Sequence, residues 1–115
     1  EFFMSDKSVR RFGLVIGIRN ECIEEYRSIH DGPGVRDLLT SVGIQNFSIF
    51  LQHFPDGKSY EFAYFEYFGE DYEADMEALN AHPRNKEWLA ICDAMQLPFP
   101  GQKGWAEMEQ IYFNP

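Results

Sequence analysis

The sequence predicts an α+β domain in which strands and helices follow one another as β-α-β-β-α-β. Three observations carry this. Four stretches read as strands, the first with a clear period of two. Two stretches carry apolar residues at helical spacing. An Asp56-Gly57 turn joins the two central strands as a hairpin. That order is the ferredoxin-like pattern, a four-stranded antiparallel sheet with its helices on one face.

Glu1-Phe2-Phe3 precede Met4 and read as an expression remnant, and residues 1–10 as a whole as a frayed start, so the domain is assigned to residues 11–115. The first strand is RFGLVIGIR, Arg11 to Arg19, with Phe12, Leu14, Ile16 and Ile18 on one face. Gly13 and Gly17 within it mark a close approach, by a ligand or by a packed helix. Asn20 reads as the cap of the following helix, with Glu21, Glu24 and Glu25 at the positive end of its dipole. Its apolar stripe is Cys22, Ile23, Tyr26, Ile29 and His30. Asp31-Gly32-Pro33-Gly34 stops it, and a second helix, Val35 to Val42, ends at Gly43. Ile44 to His53 is the second strand and Tyr60 to Phe68 the third. The third carries rings on both faces, where a face open to water would be polar. Helices follow at Asp71 to Asn80 and from Pro83 through Met95. The Pro- and Gly-rich residues 96–104 read as loop, and Ala106 to Asn114 as the last strand.

Helices on one face leave the other uncovered, and a second copy of the chain is the economical cover. The expected assembly is therefore a homodimer, a dimeric α/β barrel. The 115 residues suit one domain with its own core. Ten basic against nineteen acidic residues give a net charge of −9, which disfavours nucleic-acid and anionic-membrane partners. No apolar run approaches the roughly 20 residues of a membrane span. Cys22 and Cys92 alone make no disulfide framework and fit a reducing compartment, the cytoplasm.

Tyr26 and His30 are the first candidates for chemistry. Four residues apart on a helix, they share a face about 6 Å apart at Cβ. Imidazole titrates near neutrality, and the C-terminal end of a helix favours its protonated form, the form a general acid needs. Alternatively both simply continue the core stripe. Trp88 is either core or a wall against the C–H face of a sugar. Asp31 and Glu25 flank the pair as possible partner carboxylates. His30, His53 and His82 lie in separate segments without metal-ligand spacing, so no metal is expected. Cys22 and Cys92 sit on apolar stripes, where thiols are inert. No phosphate-binding glycine loop is present.

With these residues placed, the chain resembles the L-rhamnose mutarotase family from about Arg11 to Pro115. The resemblance rests on EEYRSIH (Glu24 to His30), NFSIF (Asn46 to Phe50), Trp88 with Met95, and the terminal QIYFNP. It implies interconversion of the α and β anomers of a deoxyhexose on a dimeric ferredoxin-like barrel, without a cofactor. It further implies that His30 is the proton donor, that Tyr26 contacts the sugar, and that Phe47, Glu87 and Trp88 line its site. Phe47 stands where the family has a tyrosine, Glu87-Trp88 where it has two tryptophans, and Asp31 to Gly34 where it has a longer Trp-Pro-Glu segment. These departures leave the sugar open between L-rhamnose, L-fucose and a relative. Two other readings compete: a non-catalytic sugar-binding module, and a small monooxygenase on the same scaffold.

Overall fold

The computed structural model describes residues 9–115. The expected frayed start thus lies outside the described residues for 1–8, while Arg10 already opens the first strand. The elements run β1 (Arg10–Ile18), a 3-10 turn (Asn20–Cys22), α1 (Ile23–His30), α2 (Arg36–Ser41), β2 (Ile44–His53) and β3 (Ser59–Tyr67). They continue with α3 (Tyr72–Ala81), α4 (Pro83–Asp93), β4 (Gln96–Leu97) and β5 (Ala106–Met108). All pairings are antiparallel. The sheet order is β2-β3-β1-β4, with β5 also on β1. This is the ferredoxin-like order, its last strand position shared by two short strands.

Two expectations change at that edge. Gln96–Leu97, read as loop, pairs with Gly17–Ile18. The last strand stops at Met108, and residues 109–115 leave the sheet. The glycines of β1 explain how both short strands fit. A Cβ on Gly17 would stand 2.8 Å from the Leu97 carbonyl oxygen, and one on Gly13 would stand 3.3 Å from Met108 Cε. The close approach they permit is therefore by β4 and β5, not by a helix or a ligand.

Register decides which side chains face the helices. Phe12, Leu14, Ile16 and Ile18 pair with Phe65, Ala63, Glu61 and Ser59 on the helix-covered face. In β2, Ile44 and Ile49 both lie on that face although five residues separate them, an odd spacing that a regular strand forbids. A bulge resolves it: Asn46 and Phe47 together oppose Phe65, with Asn46 at φ 55°. The Asn46 amide donates to Glu66 Oε1 at 2.8 Å and holds the kink.

The helix ends follow local chemistry, with one correction. Asp71 caps α3 by accepting from Ala74 N at 3.1 Å, and Pro83 begins α4, where its missing N–H costs nothing. Gly43, at φ 91°, follows α2. Asn20 does not cap α1. Its amide instead donates to the Gly57 carbonyl at 2.8 Å and accepts from the Ser59 hydroxyl at 2.5 Å, tying the β2–β3 turn to the start of α1. The apolar core forms two clusters between sheet and helices. One is Phe12, Ile44, Phe65, Tyr67 and Leu79, and the other Ile18, Tyr26, Cys92 and Met95.

Candidate active site

Between these two clusters lies a cavity of about 690 Å³, within the size range of small-molecule sites. Its walls come from both core clusters and include Leu14, Tyr26, Ile44, Leu51, Phe65 and Cys92. His30, Phe47 and Trp88 also line it. Four of the five side chains expected to form a site are therefore brought together. Glu87 is the exception: it is exposed on α4 and does not line the cavity. The helical period explains this, because Trp88 turns inward and its neighbour points some 100° away.

The end of α1 presents His30. Its Nδ1 lies 2.6 Å from the carbonyl oxygen of Tyr26, one turn back. A carbonyl only accepts, so Nδ1 carries a proton and donates it. Nε2 is left as the nitrogen able to exchange a proton with a ligand. The ring stacks on Tyr26 with centroids 4.2 Å apart and meets Trp88 edge-on at 5.0 Å. The imidazole is thus held by one hydrogen bond and two rings.

The loop after His30 is pinned as well. Arg36 donates to the His30 carbonyl at 2.8 Å and to the Gly32 carbonyl. Arg84 grips Asp37 with two hydrogen bonds, 2.8 and 3.0 Å, and reaches the Gly34 carbonyl at 3.2 Å. This guanidinium holds the Asp37 carboxyl down at about 2. Gly34, at φ 54°, lies against Trp88, whose ring stands 3.3 Å from where a Cβ would be. Asp31 lies exposed on this rim.

Glu61 was not expected here. It projects from the middle of β3 onto the helix face, only 2% exposed, and lines the cavity. Its cross-strand neighbours are Ile16 and Leu51, so no cation balances it within the sheet. Burial pushes its carboxyl up to about 7, against the hydrogen bond that Gln96 supplies. The Gln96 amide donates to Glu61 Oε1 and to the Tyr26 hydroxyl, 3.2 Å each. Burial and the nearby Glu61 raise the Tyr26 phenol well above its ordinary range, so it stays protonated. Burial likewise lifts the Cys92 thiol to about 12, which keeps it inert. Asn85 is a further buried polar residue at the cavity wall.

Chemically, the cavity offers a histidine with one free nitrogen, a carboxyl poised between its two states, a neutral phenol and apolar rings. Among the described residues, no three His, Cys, Asp or Glu side chains gather as a metal site would require.

No curated protein matches the sequence. A solved L-rhamnose mutarotase from Formosa agariphila superposes with a TM-score of 0.69 at 17% identity, covering 92% of this chain and 99% of that one. At that identity the likeness establishes the fold. The family model described as L-rhamnose mutarotase matches residues 11–113, nearly the whole chain. The chain therefore belongs to the L-rhamnose mutarotase family.

Proposed function

We propose that the cavity beside His30 is where this sugar mutarotase interconverts the α and β anomers of a deoxyhexose, L-rhamnose first among them. The observation that carries the reading is the fixed imidazole: Nδ1 is committed to the Tyr26 carbonyl at 2.6 Å, and the ring opens onto a ring-lined cavity of about 690 Å³. Anomer exchange needs an acid at the ring oxygen O5 and a base at O1. The acid protonates O5 as the C1–O5 bond breaks, and the base takes the O1 proton as the carbonyl forms. Rotation about C1–C2 presents the other face, and the same groups run in reverse. Positioned acid–base groups give about 10²–10⁴-fold. His30, through Nε2, is the acid. Tyr26 orients the sugar, and Trp88 and Phe47 are its apolar walls. One domain, residues 11–115, carries the whole site.

The working unit is a homodimer. On the sheet face away from the helices, Tyr60, Phe62 and Tyr64 are half-buried and Phe50 is 65% exposed. Beyond the sheet, Arg11 holds Phe113 at 3.9 Å, while Ile111 and Tyr112 stand 88% and 79% exposed. A second copy laid on this face covers these rings, and the same face of the partner is covered in return. The free thiols of Cys22 and Cys92 suit the cytoplasm.

Saturation-transfer NMR on reducing sugars tests the reading. Irradiating one anomeric proton should deplete the other in L-rhamnose or L-fucose at catalytic protein concentration, well beyond the spontaneous rate. Binding without exchange would mark a non-catalytic module, and silence across the panel would contradict a sugar site altogether.

A further inference from the structure

Ring opening and closing require a second proton-transfer group besides His30, and the cavity holds one deeper in. We propose that Glu61, on β3, is that group: the base that takes the O1 proton and later returns it. This rests on the mutarotase reading of the cavity above.

The geometry singles out Glu61. A carboxyl only 2% exposed, flanked across the sheet by Ile16 and Leu51, has no structural ion pair to make. It nevertheless lines the same cavity as Tyr26 and His30. The Gln96 amide donates to it at 3.2 Å, and the Tyr26 hydroxyl also favours its ionised form through a hydrogen bond. The same NH₂ donates to the Tyr26 hydroxyl, so each of its hydrogens is used. Tyr26 Oη, accepting from Gln96, keeps its own proton for a sugar oxygen or for Glu61. Gln96 thus links the Glu61 carboxyl and the Tyr26 hydroxyl, and all three line the same cavity as His30. Asp31, next to His30 in the chain, is exposed at the rim and is not among the side chains that Gln96 ties together.

The proton inventory closes. Glu61 takes the proton from O1 while His30 Nε2 gives one to O5, and the C1–O5 bond cleaves to the aldehyde. After rotation, His30 takes the proton back from the O5 hydroxyl as that oxygen attacks C1, and Glu61 reprotonates O1. Nothing is oxidised or reduced, and both groups regain their starting states. Burial brings Glu61 to about 7, so near neutral pH it exists in comparable amounts as base and acid. The titratable groups facing it, Tyr26 from α1 and Cys92 from α4, are both pushed up and stay neutral there. Arg27, His30, Asp31, Arg36, Tyr72 and Asp93 belong to the same cavity lining.

The experiment is the pH dependence of anomer exchange for the parent, Glu61→Gln, Gln96→Leu and His30→Ala, each checked for folding by near-ultraviolet circular dichroism. The parent should lose kcat/KM below an acid limb near pH 7. Glu61→Gln should lower kcat about 10²–10⁴-fold and abolish the limb. Gln96→Leu removes a bond that favours the ionised carboxyl, so the limb should move to higher pH, and this arm decides if Glu61→Gln fails to fold. A Glu61→Gln enzyme within threefold of the parent with the limb intact overturns the proposal, as does an unmoved limb in Gln96→Leu. Loss of exchange in His30→Ala alone leaves the mutarotase reading standing without Glu61. Parental rates in both His30→Ala and Glu61→Gln remove both.

Discussion

At the scale of single residues, the cavity works by committing some polar atoms and leaving others unspent. His30 Nδ1 is used by a carbonyl, which leaves Nε2 for chemistry. Glu61 is the converse, a carboxyl buried with the Gln96 amide as a partner. Its consequence for stability has a definite sign. The folded-state value near 7 lies above the ordinary 4.5, so between those values the folded chain holds a proton that the unfolded chain releases. The stabilisation this gives is complete below about 4.5 and is lost as pH rises through 7. The rise corresponds to about 3 kcal/mol. Glu61→Gln carries no such slope. Denaturant unfolding of both proteins should show their difference moving in favour of the variant by up to about 3 kcal/mol between pH 4.5 and 8. A difference constant across that range would contradict burial of this carboxyl.

At the scale of elements, β2 shows how local backbone geometry builds the site. Without the bulge, Phe47 would share a face with Ile49, but Ile44 would point away from the core. The left-handed Asn46, φ 55°, lets Ile44, Phe47 and Ile49 all face the cavity side, and Phe47 stacks on Phe65 at 5.5 Å. Asn46→Val, β-branched in a left-handed conformation, should cost about 1–3 kcal/mol in thermal or denaturant unfolding and weaken sugar binding. Asn46→Gly should keep the bulge and most of the stability. Equal stability of the Val and Gly variants would show that the bulge is not held by this residue. The same strand marks where sequence reading reaches its limit. Alternation placed β2 and β3 within a residue of their ends, yet the odd Ile44-to-Ile49 spacing was the available sign of the bulge. In β3, period two separates Tyr60, Phe62 and Tyr64 from Ser59, Glu61 and Ala63, but does not say which set meets the helices. The ring-rich set looks like the core; register puts the polar-looking set there, with Phe65 and Tyr67. Glu61 was therefore hidden, and Gln96 with it, because its two-residue strand forms only through β1. His30, Tyr26 and Trp88 were legible because helical spacing alone puts them on inward stripes.

At the scale of the whole molecule, the acidic balance and the aromatic sheet face pull in opposite directions. Two chains of net charge −9 repel, while Phe50, Phe62 and Tyr64 gain by leaving water. Light scattering should give twice 13.5 kDa, with association tightening as salt screens the charge. Phe50→Asp should shift the mass toward one subunit without unfolding the chain. A single-subunit mass for the parent at micromolar concentration would contradict the covered face. The fold class followed from element order alone, whereas pairing of the last edge depended on two glycines whose neighbours lie eighty or more residues away in the chain. All of these scales converge on proton exchange at one imidazole. The most direct measurement is the rate at which folded His30→Ala protein, at the same mass as the parent, equilibrates freshly dissolved L-rhamnose or L-fucose. Our account predicts a rate no faster than the protein-free solution. Equilibration at the parental rate would contradict it.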